Sequence, residues 1–151
     1  MIKFQTKHDI GLEMIENAIK EEILFSYVSM DGFYGESPTL LTELEKRDIT
    51  FVADIASNNQ VHLEKPVIGI HEKRGSRGRS PSKLKVLNSF PVKISSLPSS
   101  GDGWKLIKVR KTERGSKEVY FKALRVWRRQ NELPCQKSLW LLISKDGKQG
   151  R

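Results

Sequence analysis

The stretch SYVSMDGFYGES, residues 26–37, holds the most informative carboxylate of the chain, Asp31. An alternating apolar run ends on it, and a turn of two aromatics between Gly32 and Gly35 follows, leading into Ser37-Pro38. A carboxylate at the C-terminal end of a strand stands where open α/β sheets gather their ligands. Glycines on either side of Phe33 and Tyr34 would let the backbone turn sharply and come close to a ligand. A single aspartate nevertheless holds Mg²⁺ weakly, because the ion asks for several oxygens in octahedral geometry. Two-metal phosphoryl transfer needs two or three carboxylates converging from different elements. Read by itself, Asp31 is more commonly a turn residue or an acid opening a helix than a metal ligand. Asp54, at the end of a second apolar run, reads as a solvated or capping carboxylate.

The other reactive side chains are sparse. His8, His62 and His71 are scattered without ligand spacing, and neither a Ser-His-Asp arrangement nor a P-loop is present. Cys135 is the single cysteine, so no intramolecular disulfide and no cysteine-based metal site can form, and a reducing compartment fits. No apolar run approaches the ~20 residues of a membrane-spanning helix. The N-terminus lacks the apolar core of a signal peptide. A cytoplasmic, nucleoid-associated protein with no membrane contact is the expectation.

Charge is unevenly distributed. Residues 1–70 hold 6 Lys+Arg and 12 Asp+Glu, whereas residues 71–151 hold 21 and 6, for a net charge of +9 over 151 residues. A basic half of this kind suggests an anionic partner, and nucleic acid is the usual one. Lys73, Arg74, Arg77, Arg79, Lys83 and Lys85 form a Gly/Ser/Arg loop with little to bury, expected to be mobile over 72–83 and to contact phosphates. Lys105, Lys108, Arg110, Arg114 and Lys117 lie on a predicted hairpin, and an amphipathic hairpin would have one basic face. Arg125, Arg128 and Arg129 flank Trp127; an aromatic among arginines can stack on a base, although Trp104, Trp127 and Trp140 are all expected to be packed.

The elements that must position these groups can be read from periodicity. KHDIGLEMIENAIKEE predicts an amphipathic helix with Thr6 or Asp9 as N-cap. Residues 24–30 read as a strand running into Asp31. ESPTLLTELEKRD predicts a second helix with Ser37 as N-cap and Pro38 in its first turn, burying Leu40, Leu41 and Leu44. Residues 49–55 read as a second strand. Helix, strand, helix, strand implies a parallel α/β unit over 1–57. After Asn58 the texture becomes β-rich and basic, over 58–151. Short strands are expected at QVHLEK and VIGIHEK, a hairpin at 104–111 and 117–129, and a last strand at 138–144.

TKHDIGLEMIENAIKEEILFSYVSMDGFYGESPTLLTELEKRDITFVADI resembles the middle of a DDE-type insertion-sequence transposase, of the subgroup of DDE superfamily endonucleases. The strand ending in a D-x-x-Y-G pattern and the elements on either side follow in that family's order. The later GWKLIKVRKTERGSKEVYFKALRVW and LWLLISKD are similar to its β-rich insertion. The resemblance implies an RNase H-like core in which three carboxylates hold two Mg²⁺ ions for DNA strand cleavage and transfer. It places the second of those carboxylates, catalytic and metal-binding, on Asp31. It places the first on a strand before residue 1 and the third, a glutamate, on a helix after the insertion. The implied protein is therefore an internal fragment, not expected to hold Mg²⁺ stably or to cut DNA alone. The other reading from the sequence is a non-enzymatic DNA-binding or regulatory module that acts on a full-length transposase through its basic half.

Overall fold

The structure, a computed structural model, describes residues 4–73, 75, 77–97, 101–112, 115–130 and 132–146; of residues 111, 112, 115 and 116 it describes the backbone only. Arg74 and Arg114 therefore lie outside the described residues. The chain mixes helix and sheet, compatible with an α/β class. It divides into two compact units, Met1–Ser57 and Asn58–Arg151.

The first unit is built by strong local signals. Helix α1 (Lys7–Lys20) opens on a capping box: Thr6 accepts from the Asp9 amide, and the Asp9 carboxylate accepts from the Thr6 amide. Thr6, not Asp9, is thus the N-cap. The helix closes on a Schellman motif. Glu22 adopts a left-handed conformation (φ 56°), the Ile23 amide donates to Ala18 O at 3.0 Å and the Glu22 amide to Ile19 O at 3.1 Å. Helix α3 (Pro38–Lys46) repeats the device. Ser37 caps its start, and Asp48 (φ 55°) and Ile49 close it on Glu45 O and Leu44 O. Each motif turns the chain from a helix toward extended structure, with an isoleucine just after the left-handed residue.

Two short strands complete the unit. β1 (Val28–Met30) and β2 (Phe51–Ala53) pair in parallel, Val28 with Phe51 and Met30 with Ala53. Both are shorter than the sequence predicts, because the expected early part of the first strand, including Leu24 and Phe25, is exposed and makes no ladder. Between β1 and α3, Gly32–Gly35 forms a one-turn helix, α2, which Asp31 opens as its N-cap. The interior is supplied by α3: Leu40, Leu41 and Leu44 are buried, Leu44 completely. No residue of α1 is fully buried. It is tied down by Arg47, whose guanidinium bridges Glu16 of α1 at 2.6 Å and Glu43 of α3 at 2.5 Å.

The second unit is organised by one long strand, β8 (Gly115–Gln130). It pairs antiparallel with β7 (Lys105–Thr112) along its first half and with β10 (Leu139–Asp146) along its middle. Its end pairs with β3 (Gln60–His62) and with β9 (Leu133–Pro134). β3 pairs in turn with β6 (Val92–Lys93), while β4 (Ile68–Ile70) and β5 (Leu84–Val86) form a separate two-stranded ribbon. Strands β5, β6 and β9, of two or three residues each, are too short to leave a periodic signature. Val61, Val126 and Leu141 form the core, with Val92, Ile94, Leu97, Leu124 and Ile143 packed against it.

His62, 2% exposed, follows Val61 on β3 and so faces the other side of the sheet from this cluster, with its Nδ1 3.0 Å from Ser89 Oγ. Removal from water, and then the charge of Arg129, hold its pKa below the ordinary 6.5. Below that pH the unfolded chain takes up a proton that the folded unit resists. The unfolded state then binds more protons, and stability falls as pH falls. The expected result is a denaturation midpoint that drops between pH 7 and pH 5, and a shallower drop in His62→Gln. Identical pH profiles for the two proteins would show that His62 carries none of the dependence.

Candidate active site and nucleic-acid interface

Asp31 follows Met30 at the C-terminal end of β1, and Asp54 follows Ala53 at the same end of β2. The Asp54 amide donates to Met30 O at 3.1 Å, so the two aspartates stand side by side at one edge of the parallel pair, both exposed. Asp31 is also the N-cap of α2. Its Oδ1 accepts from the amides of Phe33 (3.1 Å) and Tyr34 (3.3 Å), and its carbonyl accepts from the Gly35 amide at 2.8 Å. The carboxylate thus opens a helix and, as the residue directly after β1, also sits at a strand edge.

Gly35 sets how closely α2 approaches β2. A Cβ there would fall well inside van der Waals contact distance of the Asp54 carbonyl oxygen and 3.1 Å from the Ala53 Cβ, whereas one at Gly32 would meet Asp54 O only at 3.9 Å. Of the two glycines, only Gly35 is required by close approach, and what it approaches is the neighbouring strand, not a ligand. The turn is braced from α1 by His8, a residue to which the sequence assigns no role. Its ring stacks on Phe33 at 4.6 Å, its Nε2 lies 3.1 Å from Phe33 O, and Tyr34 meets it edge-on at 5.7 Å. The sequence carries no signal for this contact, because His8 and Phe33 are 25 positions apart.

A divalent ion asks for more than this edge supplies. Among the described residues no three His, Cys, Asp or Glu side chains come together as a metal site. Asp31 spends one oxygen on two backbone amides. Asp31 and Asp54 alone do not fit the two-ion requirement of in-line phosphoryl transfer.

The basic residues singled out in the sequence lie in the second unit and divide between three settings. Lys73, Arg77, Arg79 and Lys83 are exposed in irregular backbone. Lys85 is not in the loop: it stands on β5, opposite Gly69 of β4. Lys105, Lys108 and Arg110 are exposed on β7. Cross-strand partners share a face, so Lys105, opposite Phe121, and Lys108, opposite Glu118, point to opposite sides of the sheet. The hairpin therefore does not gather all its cations on one face. Trp140, expected to be packed, is 63% exposed. The arginine beside it is Arg125, whose guanidinium carbon lies 4.6 Å from the Trp140 ring centroid across the β8–β10 ladder. Register between two distant strands creates this pair, and neighbouring positions in the sequence could not have revealed it. No helix among the described residues is long and apolar enough to cross a membrane.

The family model described as DDE superfamily endonuclease covers residues 1–116. No curated protein and no solved structure matches the chain.

Proposed function

This chain belongs to the DDE superfamily endonucleases, and from that membership we propose that it carries the Asp31 segment of a metal-dependent DNA strand-transfer core joined to a basic DNA-binding region. The observation that carries the reading is the place of Asp31. It lies at the C-terminal edge of a parallel strand pair, opens the D-x-x-Y-G turn, and falls inside the span matched by the family.

In this reading residues 1–57 are part of an RNase H-like core and residues 58–151 are its β-rich basic insertion. Family chemistry supplies the reaction class: divalent ions stabilise the charge that develops as water or a 3′-hydroxyl attacks a DNA phosphodiester in line. Asp31 is the ligand that this chain contributes. Its cap bonds to Phe33 and Tyr34 fix the carboxylate at the sheet edge and leave Oδ2 outside them. Alone, the chain does not cut DNA, since one family carboxylate position does not make a two-ion site. The partners are DNA and, for cutting, the remaining carboxylates of a full-length transposase, in the cytoplasm and on the nucleoid. A second reading, a non-enzymatic module regulating a full-length transposase, is favoured by one observation: the cap already occupies Asp31 Oδ1, while the cations Arg77, Arg79, Lys83, Lys105, Lys108 and Arg110 are all exposed.

Both readings require DNA binding by the basic region. Residues 71–129 hold 17 Lys+Arg against 4 Asp+Glu. If about five phosphates are neutralised, log K against log salt should fall with a slope near −4 to −5. Charge reversal at Arg74, Arg77 and Arg79 should weaken binding to all sequences alike and flatten that slope. An affinity independent of salt, or a triple variant that binds as the parent does, would remove the loop from the interface.

A further inference from the structure

The outer face of the sheet formed by β7, β8 and β10 carries a set of side chains that folding does not explain. Lys105 stands opposite Phe121, and Trp140 opposite Arg125. By the alternation of side chains along β8, both pairs lie on the same side of the sheet. The other side holds Val126 and Leu141 and is the core side. On the outer side Trp140 and Leu142 are each 63% exposed, and the Arg125 guanidinium lies over the Trp140 ring. Farther along, past an irregularity in the β7–β8 ladder, Arg110 stands directly opposite Lys117. Like charges in that position weaken a sheet, and an anion between them would relieve the repulsion. Four cations thus share this side with a single carboxylate among the described side chains, Asp146, opposite Val119.

We propose that this face binds unpaired DNA: Trp140 stacks on a base, and Arg125, Lys105 and the Arg110–Lys117 pair hold the phosphates on either side. The proposal rests on the DNA-binding reading above and narrows it. Duplex DNA keeps its base faces inside the stack and presents phosphates outward, so it has no use for an exposed indole and leucine. A single strand presents both a π face and a phosphate in each nucleotide, which is what an aromatic surface interleaved with cations recognises.

The test is fluorescence anisotropy on the full chain with labelled oligothymidine of about a dozen nucleotides, beside a labelled duplex of the same length, at one salt concentration. Trp140→Ala should weaken single-strand binding roughly ten-fold and leave duplex binding unchanged, while Trp140→Phe should keep most of the single-strand affinity. Trp140 is largely exposed, so the variants should melt with the parent, and a thermal scan checks this. Quenching of tryptophan fluorescence by the oligonucleotide should vanish in Trp140→Ala. Equal single-strand affinities for parent and Trp140→Ala, with duplex binding intact, would overturn the stacking proposal and leave the DNA reading standing. Loss of both DNA activities in the parent chain would fail the DNA reading and this proposal together. Sedimentation showing a dimer that Trp140→Ala dissociates, with DNA binding unchanged, would overturn the proposal by assigning the face to a second copy.

Discussion

Replacing Gly35 with alanine should destabilise the first unit by about 3 kcal/mol, at the upper end of what inserting one methyl group into a packed site costs. The backbone at Gly35 is ordinary helix, not a left-handed conformation, so nothing in its dihedral angles forbids alanine. The obstacle is the Asp54 carbonyl, a backbone group of the residue whose amide donates to Met30 O. A flexible side chain could move aside; a strand cannot without losing its hydrogen bonds. Relief would have to come from α2 lifting off β2, which also removes the amides of Phe33 and Tyr34 from Asp31. Gly32→Ala is the control, because a Cβ there makes only ordinary contact; it should cost well under 1 kcal/mol, and at the first helical position alanine is the better helix former. Denaturant titration of the two variants and the parent measures both. A Gly35→Ala protein as stable as the parent would mean that α2 does not pack on β2 as described.

The contrast between Asp31 and Trp140 shows what the sequence could and could not disclose. Asp31 was legible because its signals are local: an apolar run before it, glycines and aromatics after it, and a Ser-Pro helix start six residues on. The caps of α1 and α3 and the buried leucines were legible for the same reason, since capping and helical periodicity act within a few residues. The one-turn α2 was not, because four residues with two glycines have no propensity to announce. The short strands β5, β6 and β9 exist only through partners elsewhere in the chain, and Lys85 left the expected loop when β5 paired with β4. The exposure of Trp140 and its partnership with Arg125 depend on which residues the β8–β10 register sets opposite each other. The continuous apolar run in LWLLIS marks a strand but does not say which face will be covered, and here the tryptophan took the outer one. His8, too, has a role only through tertiary contact.

In the proposed function Asp31 is one ligand of a metal-dependent DNA-cutting site, and the described residues at its strand edge do not supply a three-carboxylate ligand set. Hydrolysis of a phosphodiester by two ions needs them about 4 Å apart, held by carboxylates from several elements. The edge at β1 and β2 offers Asp31, with one oxygen already bonded to two amides, and Asp54 beside it. Losing most of the ligand set from such a site removes several kcal/mol of charge stabilisation, which is a rate loss of about a thousand-fold or more. The decisive measurement is nicking of supercoiled plasmid by the purified chain with Mg²⁺ or Mn²⁺, run beside Asp31→Ala. The predicted result is no metal-dependent nicking by either protein, with both still binding the plasmid in a salt-dependent way. Metal-dependent nicking by the parent that disappears in Asp31→Ala would contradict the account: the chain would then hold a complete site, and Asp54 would be the first residue to test as its second ligand.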